Sequence, residues 1–395
     1  MFTNASSTLL QSRRTVLAMF FVNGAVLFNW TTRIPQIKEN LELSDGDLGR
    51  VLLGIAVGVL FALPLAGGMI ARYSSRTVTI FSAFGMMIAF PLLALAPSPI
   101  LLWLALFLFG AMTSSMDMGM NAQAVEIERR KGRPIMSSFH AAFSLGGFFG
   151  ALMTNRLTAM GLEPLTHFLI ASVFFSFVIL YFIRHLVNID GEVAAGGAVF
   201  RLPQRALWAL GAIAFCAAIG EGAIADWSAV YLTDIVGTLD SVAALGAASF
   251  SLMMTVGRLS GDWLAEKYSP ATIVRVGGVI GAVGLALVLI APSTVTALIG
   301  FGAVGAGLST IIPLAFSAAG NMPGLGSGAG IAGVATIGYS GFLAGPPVIG
   351  QIAEFTSLRV ALVIVVILIG ALFFLADAVQ VKAPKADAKP AESVG

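Results

Sequence analysis

Asp117 lies inside the apolar run "FLFGAMTSSMDMGMNAQAVE", with Ser114 three residues before it and Asn121 four after. On a helix that spacing puts all three on one face. Glu221, in "AAIGEGAIADW", is the deepest acidic residue of the second half of the chain. An ionisable side chain in mid-bilayer costs at least about 2.5 kcal/mol on insertion scales, so it ordinarily faces a cavity or a partner. Asparagine would meet a packing requirement at lower cost. A carboxylate can also take up and release a proton, and that is the chemistry expected of Asp117 and Glu221. The plainer alternative for Asp117 is a hydrogen bond to a neighbouring helix. Folding the chain back about Lys131 brings His140 to the depth of Asn121, so His140, Asn121 and Asp117 are expected to form one polar group. A histidine beside a carboxylate can change charge in the physiological range; a histidine capped by Ser137 is the structural alternative.

A second set of residues suits contact with a polar solute. Asn23 and Trp30 are seven apart and share a helix face, and Trp30 and Trp227 stand at comparable places in the two halves. An aromatic ring beside an asparagine can serve as a platform for a sugar ring. Asp226, about 140° round the helix from Glu221, could bind solute or anchor a helix end. Tyr339, Ser309, Thr310 and Pro313 are weaker candidates. Arg33 reads as a snorkelling end residue, and His167 and His185 read as interfacial.

Other chemistries are excluded. There is no Gly-x-x-x-x-Gly-Lys-Ser/Thr, no His-Glu-x-x-His, no Cys-x-x-Cys and no Gly-x-Ser-x-Gly, so neither ATP drive, a metal site nor an enzyme is expected. No cofactor is implied. Cys216 is the lone cysteine and forms no disulfide framework. The basic "ERRKGR" suits lipid headgroups rather than nucleic acid.

The elements that must position these residues follow from composition. Of 395 residues, 57% are hydrophobic and 11% charged, with mean hydropathy +0.93 and 45 glycines. That is a polytopic membrane protein, in which small residues let helices approach closely. Twelve apolar runs are long enough to cross a bilayer as helices, near 14–38, 46–71, 77–97, 99–127, 135–158, 164–186, 205–233, 241–265, 270–291, 294–318, 327–351 and 357–379. They are too long for barrel strands. The first run is too long for a cleaved leader and lacks a small-residue cleavage site. With the N-terminus inside, Arg13, Arg14, Arg72, Arg76, Arg129, Arg130, Lys131, Arg133, Arg184, Arg201, Arg205, Lys267, Arg275 and the tail lysines face the cytoplasm. Only Arg33, Lys38, Arg50, Arg156 and Arg359 are left outside, so both termini are expected in the cytoplasm. The expected organisation is a six-helix bundle over 1–187, a cytoplasmic linker over 188–204, a second six-helix bundle over 205–380 and a disordered cytoplasmic tail over 381–395. The pair "IARYSSRTVTI" and "AEKYSPATIV", offset by about half the chain, supports an internal repeat.

The basic connections after spans two and eight resemble the loop signature of the major facilitator superfamily, Gly-x-x-x-Asp-Arg-x-Gly-Arg-Arg. The first copy, "GMIARYSSR", keeps Arg72 and ends on Arg76 but has Ala71 in the aspartate position; the second, "GRLSGDWLAEKYSP", has Arg258, Glu266 and Lys267. "GFLAGPPVIG" resembles the family's proline-containing glycine signature in span eleven. "DMGMNAQAVE", "SSFHAAFSLGGFFGA", "GEGAIADWSAVYL" and "GYSGFLAGPP" together look like a narrower bacterial branch that includes the rhizopine-associated permease. The resemblance implies two pseudo-symmetric six-helix bundles rocking by alternating access, with spans one, four, seven and ten around a central path. The branch implies a sugar- or cyclitol-like solute. The two carboxylates point to H+ as the coupling ion, with Na+, which the same carboxylates could ligate, as the alternative, and a monomer in the bacterial inner membrane is expected. A proton-driven exporter of a cationic or amphipathic molecule and a non-transporting membrane sensor are the alternatives.

Overall fold

The computed structural model describes residues 2–132, 135–189, 204–322 and 327–380. Most of the expected linker and the whole expected tail lie outside the described residues, as do Arg133 and Arg201. Fourteen α-helices make twelve spans, and no strand occurs among the described residues. The first span is α1 (Phe2–Thr31) with α2 (Ile34–Asn40). Then come α3 (Asp45–Tyr73), α4 (Ser75–Leu95), α5 (Pro99–Lys131), α6 (Met136–Ala159) and α7 (Pro164–Phe182). The second half holds α8 (Trp208–Asp234), α9 (Asp240–Lys267), α10 (Pro270–Ile290), α11 (Thr294–Leu308) with α12 (Ile311–Gly320), α13 (Ser327–Phe355) and α14 (Leu358–Leu375). Eleven of these segments are long and apolar enough to cross a membrane. The twelfth, α6, is rich in Gly and Ser and is sheltered between α1 and α9. This is an all-helical, multi-pass membrane protein.

Helix limits follow local chemistry more closely than hydropathy. Serines start helices by accepting backbone N–H groups that lack an intrahelical partner, as Ser44 does from Asp47, Ser269 from Thr272 and Ser357 from Val360. Ser74 takes a positive φ of 87° to reverse the chain between α3 and α4. The fourth span outruns the expected 99–127 because Glu126 pairs with Arg129 at 2.7 Å and Arg130 at 2.6 Å, carrying α5 to Lys131. Gly132, at φ 68°, then ends it in the left-handed conformation.

Packing is mostly within each half, α1–α7 and α8–α14, and the halves meet along two seams, α6 on α9 and α3 on α13. Glycine makes close approach possible. A Cβ on Gly146 of α6 would fall on the Phe21 carbonyl of α1, and Gly49 of α3 lies directly against Pro346 and Gly350 of α13. Phe28 of α1 stacks on Phe250 of α9 at 6.5 Å across the first seam.

The end of the bundle that carries the C-termini of α5 and α9 and the N-termini of α6 and α8 gathers most of the cations and is termed the basic end; the opposite is the far end.

Candidate functional site

A cavity of about 570 Å³ lies between the halves. Its floor is near mid-span at Asp117 and Glu221, and it widens past His140 and Tyr339 to the exposed Asp262 and Ala265 at the basic end. Its walls come from α5 and α6 of the first half and α8, α9, α12 and α13 of the second. The wall at α12 exists because the tenth span breaks at Ser309–Thr310, which with Pro313 line the cavity.

The two expected carboxylates both line this space, one from each half. Asp117 is held by the Asn121 amide, whose Nδ2 donates to Asp117 Oδ1 at 3.1 Å and to its carbonyl at 2.8 Å. Among the described residues no cation pairs with Asp117. Glu221 Oε2 stands 3.9 Å from Arg258 Nη2. Arg258 Nη1 donates to Ser144 Oγ at 2.6 Å and to the His140 carbonyl at 3.2 Å, so this arginine of α9 reaches across to α6 of the other half. The His140 ring lines the cavity and meets Phe20 edge-on at 5.4 Å. Ser137 directs its hydroxyl to Asp262 rather than to His140.

The model for the Major Facilitator Superfamily matches residues 16–333. The chain belongs to that superfamily. It is 36% identical over 342 residues to an uncharacterized MFS-type transporter of Yersinia pestis, covering 87% of this chain and 89% of that protein. It is 34% identical to the membrane protein MosC of Rhizobium meliloti, over 89% of this chain and 86% of the other. Among solved structures, the nucleoside transporter NupG has the same fold at a TM-score of 0.73 with 14% identity, covering 94% of this chain and 98% of that one. A bacterial homolog of the human lysosomal transporter Spinster, in an inward-facing and occupied conformation, gives 0.70 at 18% identity over 96% and 99% of the two chains. FucP in an outward conformation gives 0.59 at 15% identity over 93% and 98%.

Not every polar residue singled out in the sequence of this superfamily member reaches the cavity. Asn23 is buried and donates to the Thr113 carbonyl at 3.2 Å, tying α1 to α5. Trp30 and Trp227 are fully buried beyond the cavity floor, each with an indole N–H that finds no hydrogen-bond partner among the described residues. Asp226 is half-buried and does not line the cavity, whereas Tyr339 does. Of the loop-signature residues, Arg72 lies over the Tyr73 ring at 5.2 Å, Arg76 donates to Asn188 at 3.1 Å, Lys267 sits over Trp263 at 4.2 Å and Glu266 is exposed. Arg258 is different. It precedes the basic connection by more than two helical turns, which carries it from the loop into the cavity wall.

Sequence reasoning missed what closes the far end. Arg33 does not snorkel, and His167 is not interfacial; both are fully buried. Arg33 Nε donates to His167 Nδ1 at 2.9 Å, which leaves His167 Nε2 to carry the proton and donate to Asn29 Oδ1 at 2.6 Å. Arg33 also donates to the Leu162 carbonyl at 2.7 Å and to Gln36. These bonds brace the break between α1 and α2. The available clue was position: three strong donors and acceptors, Asn29, Arg33 and His167, all fall near span ends that pack together.

The braced α2 carries Lys38, whose ammonium lies 2.6 Å from Asp45 of its own half and 2.6 Å from Asp234 of the other. Nearby, Glu354 of α13 accepts the Gly46 N–H of α3 at 2.9 Å, and Asn155 donates to the Ser241 carbonyl at 2.8 Å. Removing the ammonium, as in Lys38→Met, leaves two carboxylates facing each other. Both are partly exposed, so about 1–2 kcal/mol of latch energy is at stake, a shift of roughly 5- to 30-fold toward a far-end-open state. The expected result is faster alkylation by a maleimide of Ser228→Cys, placed in a Cys216→Ala background, since Ser228 is buried beneath this closure. An unchanged rate would show that Lys38 does not hold the far end shut.

Proposed function

We propose that the protein is a secondary active transporter that carries a small polar solute by alternating access and couples it to protons. The observation that carries this reading is the cavity between the halves, floored by one carboxylate from each half and open at one end only. A protein that merely sensed a ligand would not need a path closed by separate contacts at its other end. The basic end, by its cations, is read as cytoplasmic in a bacterial inner membrane, so the state described here faces inward.

Asp117 and Glu221 are proposed as the proton carriers. Among the described residues the Asp117 carboxylate is held by the Asn121 amide alone, and Glu221 stands 3.9 Å from Arg258, too far for a tight ion pair. His140, Tyr339 and Asn121 are proposed to orient the solute around them. Asn23, Trp30, Asp226 and Trp227 are proposed to meet it when the far end opens; the indole N–H groups of Trp30 and Trp227 would then gain partners. The solute class, sugar- or cyclitol-like, rests on similarity to the rhizopine-associated branch, with MosC among the relatives. The volume suits one small ligand.

A thermal-shift screen of the purified protein against sugars, cyclitols, amino sugars and organic cations, followed by counterflow in vesicles, tests the assignment. A polyol or amino-polyol that both stabilises and exchanges is the expected result. Binding without any flux would mark a sensor instead.

A further inference from the structure

A second cleft of about 250 Å³ opens at the basic end, beside the solute cavity. Its walls are Arg13 of α1, Lys131 at the end of α5, Ser137 and Ser138 of α6, and Arg258 and Asp262 of α9. Arg13 and Lys131 face Asp262 across it, while the Arg258 guanidinium is shared with Ser144, the His140 carbonyl and Glu221, and the Ser138 hydroxyl donates to the Ile135 carbonyl at 2.6 Å. Arg13 is weakly engaged: Nη2 donates to Ser138 Oγ at 3.4 Å, and its buried Nε has no hydrogen-bond partner among the described residues. Asp262 accepts from Ser137 at 3.4 Å, so the carboxylate is drawn toward one wall. Such a cleft is complementary to a compact anion with several acceptor oxygens, which is a phosphate group.

The surroundings distinguish a lipid phosphate from a free one. Leu259 also lines the cleft, and it is 64% exposed. It belongs to an exposed apolar stripe on α9, Leu252, Val256, Leu259 and Trp263, that climbs from the cleft toward mid-span. On a spanning helix that stripe faces hydrocarbon, so the cleft opens at the edge of the bilayer. We propose that it binds the headgroup phosphate of an anionic phospholipid, with an acyl chain lying along the α9 stripe. Basic pockets between spanning helices on the cytoplasmic side are suited to such headgroups. The cleft takes walls from α1, α5 and α6 of one half and α9 of the other, so the bound lipid staples the α6–α9 seam at the basic end. This site is independent of which solute the main cavity carries.

The test uses the full chain in mixed micelles, reading the rise in unfolding temperature as phosphatidylglycerol replaces phosphatidylcholine. Wild type should be stabilised at low mole fractions of phosphatidylglycerol. R13Q/K131Q should need about thirtyfold more of it, taking about 1 kcal/mol for each basic side chain removed near a charged surface. R14Q/R72Q removes the same charge from the same end but outside the cleft, and should need only a few-fold more, the part that general surface attraction supplies. R13K/K131R, which keeps both charges, should respond as wild type does and guards against a folding defect in the neutral variant. No lipid response in wild type, an equal loss in R14Q/R72Q, or equal stabilisation by millimolar inorganic phosphate in phosphatidylcholine alone would each overturn the proposal.

Discussion

Asp117→Asn is expected to abolish concentrative transport while leaving solute exchange at equilibrium partly intact. The substitution keeps the size and one hydrogen-bond acceptor of the side chain, and Asn121 still has a partner. It removes the only chemistry asparagine cannot perform, the gain and loss of a proton. One elementary charge moving down 100 mV supplies about 2.3 kcal/mol, enough for roughly fiftyfold accumulation before any pH gradient is added. The variant should fall from that level to no accumulation, with counterflow reduced several-fold at most. Wild-type accumulation in Asp117→Asn vesicles would remove this residue from the coupling step and leave Glu221 as the proposed carrier.

The second large effect is structural. Helices α1 and α6 approach so closely that a side chain at Gly146 must displace the Phe21 backbone. Backbone cannot yield as a flexible side chain can, so Gly146→Val should force the helices apart and cost about 3 kcal/mol or more. Because Gly147, its neighbour, abuts Phe28 and Ser251 of the seam, the separation would also disturb the contact between the halves. Gly68 provides the control, since nothing lies within 4 Å of where its Cβ would be. Gly68→Val should leave the unfolding temperature in detergent near that of wild type, whereas Gly146→Val should lower it by many degrees or prevent purification. Equal effects of the two substitutions would mean that glycine on α6 is not what sets the helix spacing.

Hydropathy made the spans legible, since a polar residue that cannot be solvated must be rare in each of them. It did not reveal where a span breaks. The interruptions at Thr32–Arg33 and Ser309–Thr310 lie within apolar runs, and they became apparent only where buried Arg33 and the cavity wall used them. Asp117 and Glu221 were found by cost: a carboxylate in an apolar run needs a reason, and both line the cavity. The same logic applied to Arg258 was masked by its resemblance to a loop signature, although helical rise alone places it above the loop. Trp30 and Trp227 show the opposite difficulty. Their correspondence between halves was readable, but which face of the bundle is open depends on the conformational state, which no local pattern encodes. Lys38 and Asp234 are 196 residues apart, so their meeting is a property of the closed far end alone.

The most direct measurement is proton movement in vesicles containing a pH-sensitive dye, on adding each polyol or amino-polyol from the ligand screen. For a stabilising solute, its uptake down its own gradient should draw protons into wild-type vesicles. Vesicles with Asp117→Asn together with Glu221→Gln should show solute exchange without that signal. Solute flux with no proton movement in wild type, or with undiminished proton movement in the double variant, would contradict the account.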